Sequence, residues 1–226
     1  MKYIITGSTN GLGYCLTQKA IKKYDVIGIS KTKKNSVPAL LLNSNKYKHI
    51  QLDLSMNEID FEQQVTLSSY IKNKDQITLI LNAGIFNQTF DLANHKINKN
   101  LFQINLFNNI NLVKELLTFN LRRVIFINSI SGLITQNNQP DYSASKAALQ
   151  SYSNSLALYA KDKDFDVMSI NPGGINTSLW EKQKKHVDPN LFMNPDELSE
   201  LVFYLSELKS RFFVKNLTIL PPVDVN

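Results

Sequence analysis

Apolar, β-branched runs of four to six residues recur along the chain, at Tyr3–Thr6, Val26–Ser30, His49–Leu52, Ile77–Asn82, Val124–Ser129, Val167–Asn171 and Leu217–Leu220. Between them lie stretches with apolar residues at helical spacing: Leu12–Lys23, Phe61–Lys72, Ile97–Phe119, Tyr142–Lys161 and Pro195–Lys209. Seven strands alternating with helices predict an α/β fold. The strands are apolar almost throughout instead of alternating with polar residues, so both faces of the sheet should be covered and the strands should run parallel.

Composition narrows this to one unit. A chain of 226 residues, 43% hydrophobic, is long enough to bury a substantial core, and no linker, repeat or low-complexity tract divides residues 1–226. The single cysteine, Cys15, excludes an intramolecular disulfide and falls in an amphipathic stretch where a buried thiol is expected. The apolar run within Met1–Gly7 is too short for a signal peptide, and no stretch is long enough to span a bilayer, so a soluble, cytoplasmic protein without a membrane partner is expected. The net charge of +6 comes from dispersed lysines, without the dense block or interleaved aromatics of a nucleic-acid surface. A mildly positive field favours anionic ligands such as phosphorylated cofactors.

In a parallel α/β sheet, ligands bind beyond the carboxyl ends of the strands, near the point where strand order reverses. The first strand runs into Thr6-Gly7-Ser8-Thr9-Asn10-Gly11-Leu12-Gly13, either an ordinary glycine-rich turn or a cradle whose amides hold a pyrophosphate at a helix N-terminus. The spacing is Gly-x-x-x-Gly-x-Gly, not the commoner Gly-x-Gly-x-x-Gly. The second strand ends in Ser30-Lys31, and Val26 through Lys34 contains no Asp or Glu. An acidic side chain there would accept from the ribose 2′-hydroxyl of NAD, whereas a cation accommodates the 2′-phosphate of NADP, so NADP(H) is preferred over NAD(H). Asn82-Ala83-Gly84 and Asn128-Ser129-Ile130-Ser131-Gly132 close two further strands with small residues, as turns or as room for a flat ligand. Asn171-Pro172-Gly173-Gly174-Ile175-Asn176-Thr177 stops another strand and opens a loop.

Tyr142 stands four residues before Lys146, in Tyr142-Ser143-Ala144-Ser145-Lys146. On a helix, positions i and i+4 lie on one face, so phenol and ammonium project into the same space. A solvated helix face in a lysine-rich chain produces the same spacing. A catalytic reading requires the phenol, ordinarily at a pKa of about 10, to be depressed toward neutrality, and a nearby cation is one way to do so.

Taken in order, Thr6-Gly7 with Gly11 and Gly13, then Asp53, Asn82-Ala83-Gly84, Asn105, Ser129, Tyr142, Lys146 and Pro172-Gly173 with Thr177 resemble the short-chain dehydrogenase/reductase family, in its standard-length branch. The resemblance implies a Rossmann-type doubly wound sheet in a single domain and NADP(H)-dependent interconversion of a carbonyl and an alcohol. It implies that Tyr142 donates the proton, that Lys146 lowers its pKa and bonds the nicotinamide ribose, and that Ser129 orients the carbonyl oxygen. Asn105 is similar to the asparagine that holds a water linking Lys146 to solvent. Gly7, Gly11 and Gly13 are implied to surround the pyrophosphate, with Ser8, Thr9, Asn10 and Leu12 of the same turn as further cofactor contacts. Asp53 would meet the adenine, Asn82 the nearby ribose, and Thr177 the phosphate or the carboxamide of the nicotinamide half, with Leu54, Ala83, Gly84, Pro172, Gly173 and Ile175 as further cofactor contacts; no metal site is implied. For Asp53 a strand-end cap, and for Asn82 a structural bond to a neighbouring strand, are the alternatives.

The chain departs from the family in the quick passage from Leu116-Leu117-Thr118-Phe119-Asn120 to Arg122, and in ending on Leu220-Pro221-Pro222-Val223-Asp224-Val225-Asn226 without a glycine-rich tail. Residues 176–193, with Trp180, His186 and Phe192, occupy the place of a substrate lid, where Lys182, Lys184 and Lys185 mark His186 as a solvated residue. Phe86, Leu133 and Gln136 are expected pocket neighbours of a small-molecule substrate. A homodimer or homotetramer is expected through the helices at Ile97–Phe119 and Tyr142–Lys161, where Phe107, Leu112, Leu149, Tyr152 and Leu156 face either core or partner. A non-catalytic dinucleotide-binding sensor or scaffold is the alternative, disfavoured by the presence of Ser129, Tyr142 and Lys146 together. A nucleotide-sugar-modifying enzyme would need an extra substrate domain for which the chain has little room.

Overall fold

Seven strands form one wholly parallel sheet in the computed structural model, which describes residues 1–56, 59, 67–88, 96–134, 137–178, 188, 191–209 and 214–222. The strands are β1 (Lys2–Thr6), β2 (Asp25–Ser30), β3 (Tyr47–Gln51), β4 (Ile77–Leu81), β5 (Leu121–Ile127), β6 (Asp166–Pro172) and β7 (Asn216–Ile219). Their order is β3-β2-β1-β4-β5-β6-β7, so the chain builds outward from β1 in one direction and then, from β4, in the other. This is the doubly wound, Rossmann-type arrangement, and it places a topological switch between β1 and β4.

Coverage on both faces explains the apolar strands. All five residues of β4 are buried, and alternate side chains enter different cores. On one face Ile4, Leu79, Leu81, Val124 and Phe126 pack against Leu112, Leu116, Leu149 and Leu156. On the other, Tyr3, Ile5, Ile80, Ile125 and Met168 meet Leu16, Ala20, Leu198 and Val202. Each such side chain contributes roughly 1.5–3 kcal/mol of burial. Of the residues that could have faced core or partner, Leu112, Leu149 and Leu156 belong to the core, Tyr152 packs edge-on to Phe126, and Phe107 is exposed.

The helices are set by local capping. α1 (Gly11–Ile21) starts at Asn10, whose side chain accepts from the Gly11 N–H. A short α2 (Ala39–Leu42) follows Pro38 and falls within no sequence-predicted helix. The segment predicted as one helix from Ile97 to Phe119 is α3 (Lys99–Phe102), a π-helical stretch (Gln103–Phe107) and α4 (Asn108–Leu116). In that stretch Asn109 Nδ2 donates to the carbonyls of Asn105, at 3.0 Å, and Ile104, at 3.3 Å, a side-chain insertion into the helical ladder. α5 (Pro140–Ala160) begins two residues before the expected Tyr142, because Pro140 takes the first-turn position that needs no N–H donor. α6 (Pro195–Glu207) is capped by Asn194, which accepts from Asp196 N–H at 2.8 Å. In the stretch read as a helix over Phe61–Lys72, a single 3₁₀ turn covers Leu67–Ser69, and residues 61–66 lie outside the described residues, as do Gln136, Trp180, His186, the three lysines beside it and Val223–Asn226.

β5 starts three residues earlier than the apolar pattern indicated, at Leu121, because Arg122 and Arg123 are strand residues whose guanidinium groups reach the end of α6. Arg123 is 3% exposed and donates to the carbonyls of Leu205, Ser206 and Leu208, and to Asp166 Oδ2 at 2.6 Å. The less buried Arg122 donates to Ser206 and Leu208. The two arginines thus satisfy carbonyls that the helix end leaves unpaired. Arg123→Met should lower the urea unfolding free energy by about 3 kcal/mol and Arg122→Met by about 1 kcal/mol, since Ser206 and Leu208 keep one arginine donor in either variant, whereas the bonds to Leu205 and the Asp166 carboxylate are made by Arg123 and not by Arg122. Equal losses would contradict this assignment.

Candidate active site

A cleft of about 840 Å³ opens beyond the carboxyl ends of β1, β2, β4, β5 and β6. Its volume lies within the range of small-molecule and cofactor sites, roughly 300–1,000 Å³. The floor is built by the turn after β1. Thr6 Oγ1 accepts the N–H groups of Asn82 and Ala83, at 3.0 and 2.9 Å, and Asn82 Nδ2 donates back to the Thr6 carbonyl at 3.1 Å. The Asn82 amide is therefore spent on the neighbouring strand, although the residue lines the cleft beside Ala83 and Gly84. Gly7 and Gly11 adopt φ of 67° and 51°, the left-handed region that favours glycine. A Cβ on Gly13 would stand 2.2 Å from the Gly7 carbonyl oxygen, so only glycine lets α1 begin this close to the turn.

Gly7, Thr9, Asn10, Gly11 and Leu12 line the cleft, while Ser8 and Gly13 stand behind its wall. Thr177 lies against Gly11, and Ser178 Oγ accepts from Asn10 Nδ2 at 2.7 Å, so the chain leaving β6 folds over the glycine-rich turn. Pro172, Gly173 and Ile175 complete that wall. The described ends of the predicted lid are pinned together, with Met193 N–H donating to Gly174 and Asn176 N–H to Met193. Phe192 covers Gly174.

At the β2 end the cleft meets Ser30, Lys31, Thr32, Asp53 and Leu54. The Asp53 carboxyl accepts the Ser55 N–H at 2.9 Å, and that bond, reinforced by the charge of Lys31, holds it below the usual carboxylate range against the opposing effect of burial. Asp53 thus caps the strand-end turn while also facing the cleft.

At the far end Ser129, Tyr142 and Lys146 share one wall. Ser129 follows β5 in an extended conformation and accepts the Ser131 N–H at 3.1 Å. The Tyr142 ring is held edge-on by Phe86, with centroids 4.8 Å apart. Lys146 is buried, donates to the Ile127 carbonyl at 3.2 Å, and holds its ammonium 5.8 Å from the Tyr142 ring centroid. Burial pushes the Lys146 ammonium down to about 8. Burial also raises the Tyr142 phenol, and its hydrogen bond with Ser129 opposes that rise. Here the ammonium is aimed at the Ile127 carbonyl, and desolvation dominates the tyrosine.

Asn105 lies in the π-helical stretch behind the wall, fully buried, and does not line the cleft. Its Oδ1 accepts the Ile85 N–H at 2.9 Å, while Nδ2 donates to the Ile85 carbonyl at 2.9 Å and to Ser145 Oγ at 3.1 Å. The side chain thus clamps the loop after β4 to α5, between Tyr142 and Lys146. Leu133, expected at the pocket, is 50% exposed and outside the cleft. Sequence reasoning passed over Thr32, Gln88, Gln139 and Ser178. Thr32 and Ser178 sit one residue past residues that were selected, a usable signal; Gln139, which donates to Ser131 Oγ at 3.1 Å, is brought in only by the turn into α5.

The dinucleotide fits this cleft on three observations: left-handed glycines where amides must face a pyrophosphate, a helix N-terminus behind them, and a trough continuing to Lys146. The family model for short chain dehydrogenases matches residues 2–188. The chain belongs to the short-chain dehydrogenase family. It is 29% identical over 225 residues to the 3-oxoacyl-[acyl-carrier-protein] reductase of Buchnera aphidicola from Acyrthosiphon pisum, a match covering 92% of this chain and 90% of that one. The same fold occurs in serine dehydrogenase complexed with NADP+, with a TM-score of 0.82, 19% identity, and coverage of 100% of this chain and 96% of the other. It occurs also in 4-hydroxyisoleucine dehydrogenase complexed with NADH, with a TM-score of 0.82, 23% identity and 97% coverage of each chain. The protein is accordingly an oxidoreductase of that family. Among the described residues, no helix is long and apolar enough to cross a membrane.

The buried lysine makes stability depend on pH in a defined direction. Between about 8, its folded value, and 10.5, its ordinary value, the unfolded chain binds more protons at Lys146, so this residue's contribution to stability rises with pH across that window. Below pH 8 the full penalty of the buried ammonium remains. Lys146→Met should therefore be more stable than the parent at pH 7 by up to ~3 kcal/mol, and the difference should shrink as pH approaches 10.5, as measured by urea unfolding of both proteins at each pH. A pH-independent difference would contradict the assignment.

Proposed function

We propose that this protein is an NADP(H)-dependent reductase that interconverts a small-molecule carbonyl and its alcohol, with Tyr142 as the general acid/base. The observation that carries the reading is the convergence of Ser129, Tyr142 and Lys146 on one wall of a cleft whose opposite end is the glycine-rich turn. A bound nicotinamide supplies the hydride. Charge then develops on the substrate oxygen, and the hydroxyls of Ser129 and Tyr142 stabilise it as donors already oriented. Burial keeps the phenol protonated, which suits a donor of the proton that completes the alcohol. Lys146, held by the Ile127 carbonyl, would bond the nicotinamide ribose of a bound cofactor and keeps a cation beside the phenol from which the proton leaves. Asn105 positions this wall through Ile85 and Ser145.

Preference for NADP(H) over NAD(H) rests on Ser30 and Lys31 at the end of β2, with no carboxylate between Val26 and Lys34. In this reading the protein works in the cytoplasm as a homodimer or homotetramer. Its substrate is bound between Tyr142, Phe86, Gly174 and Phe192, with no nucleic acid or membrane involved.

Tyr142→Phe should lower kcat by about 10²–10⁴-fold while leaving the dissociation constant for NADPH within about twofold. NADPH oxidation against a panel of ketones, aldehydes and quinones, paired with a fluorescence titration of NADPH, measures both. Turnover surviving within tenfold of the parent would remove Tyr142 from its role, and silence of the parent across the panel despite tight binding would favour the sensor.

A further inference from the structure

We propose that His49, on β3, is a positioning residue for recognition of the cofactor's 2′-phosphate. It acts by holding Thr32, and with it a cluster of three hydroxyls beside Lys31. The inference rests on the NADP(H) reading above and identifies a part of the chain outside the cleft that enforces it.

β2 leaves the sheet ladder at Ser30, which pairs with Gln51, so Thr32 lies beyond the strand. Two side chains hold its backbone instead. Its N–H donates to Ser30 Oγ at 3.3 Å, and its carbonyl lies 2.8 Å from His49 Nε2. A carbonyl can only accept, so Nε2 carries the hydrogen and, in the neutral ring, Nδ1 is an acceptor. Tyr47 OH, 3.3 Å from Nδ1, is then its donor, and Ser8 Oγ, 3.0 Å from Tyr47 OH, donates to the tyrosine in turn. One directed chain runs Ser8 to Tyr47 to His49 to Thr32, joining the glycine-rich turn to the turn after β2. The Tyr47 and His49 rings stack, with centroids 6.3 Å apart.

Gly28 shows that the sheet makes room for this chain. A Cβ there would stand 2.3 Å from Tyr47 OH and 2.4 Å from Ser8 Oγ, inside the bond between them. Any larger residue in the middle of β2 would displace the relay.

The relay fixes where three hydroxyls sit. Thr9 Oγ1 donates to Ser30 Oγ at 3.1 Å, and since its one hydrogen is used there, Thr32 Oγ1, 2.7 Å away, donates to Thr9. Ser30 Oγ accepts from both Thr9 and the Thr32 N–H and keeps its own hydrogen available to a ligand in the cleft that Thr9, Ser30, Lys31 and Thr32 line. A phosphate offers acceptors only, so it suits this donor together with the Lys31 ammonium, whereas a ribose 2′-hydroxyl lacks the charge to engage the lysine. His49 has no direct reach to the phosphate in this scheme; its effect passes through the Thr32 carbonyl.

The test is the ratio of NADPH to NADH dissociation constants, from fluorescence titrations of the purified full chain. The parent should favour NADPH. His49→Leu should weaken NADPH about fivefold to tenfold, the effect of losing roughly one hydrogen bond's worth of positioning, while NADH changes less than about twofold. His49→Gln, whose amide N–H replaces Nε2–H, should restore the parental ratio to within about twofold. Tyr47→Phe, which keeps the ring and removes only the hydroxyl that orients His49, should shift the ratio in the same direction by about twofold to threefold. A ratio unchanged in both His49→Leu and Tyr47→Phe, whether or not both cofactors weaken together, would overturn the proposal. A parent that binds NADH as tightly as NADPH would overturn it by removing the NADP(H) reading itself.

Discussion

Thr6 accepts the backbone amides of Asn82 and Ala83 through its hydroxyl and the Asn82 side chain through its carbonyl. These bonds tie the ends of β1 and β4 together where strand order reverses, and the rest of the site depends on them. Because β1 and β4 lead to helices on opposite faces of the sheet, their loops diverge and leave a trough above the junction. Gly13 then brings α1 onto the Gly7 carbonyl, while the chain after β4 turns through Gly84 toward Ile85, which Asn105 holds. One end of the trough is set by backbone geometry and the other by buried side-chain bonds.

The energetics of the two ends differ accordingly. At the glycine-rich turn, strain is avoided by removing side chains, and little is buried that carries charge. At the other end the fold buries a lysine and half-buries a tyrosine, desolvating both. A single 3.2 Å bond to the Ile127 carbonyl compensates the ammonium in part, which explains why its pKa falls to about 8. Such a group destabilises the fold, and perturbed groups of this kind cluster at functional sites. The apolar layers on both faces of the sheet supply the stability that tolerates it.

Much of the architecture was legible because burial on both faces leaves an unmistakable trace: seven apolar runs correspond to seven parallel strands. The errors have local physical causes. Arg122 and Arg123 hid the start of β5, since guanidinium groups that cap a distant helix end look in sequence like a solvated break. The helix through Asn105 was read as regular, because nothing in its apolar spacing shows that Asn109 would open it into a π-helical stretch. At the site, residues flanking glycine-rich and small-residue strand ends were found, but the relay through Tyr47 and His49 was not, because its partners lie in separate segments of the chain.

The sequence by itself determined the fold class and the residues at the strand ends, since hydrophobic periodicity and glycine placement act over short spans of chain. Tertiary structure decided what those residues do to one another. The direction in which Lys146 points, the shift of the Tyr142 phenol, the use of Asn82 and Asn105 as clamps and the packing of Tyr47 over Gly28 all follow from distances between segments far apart in the chain. Desolvation and hydrogen-bond geometry depend on what surrounds an atom in space, and that surrounding exists only once the sheet has assembled.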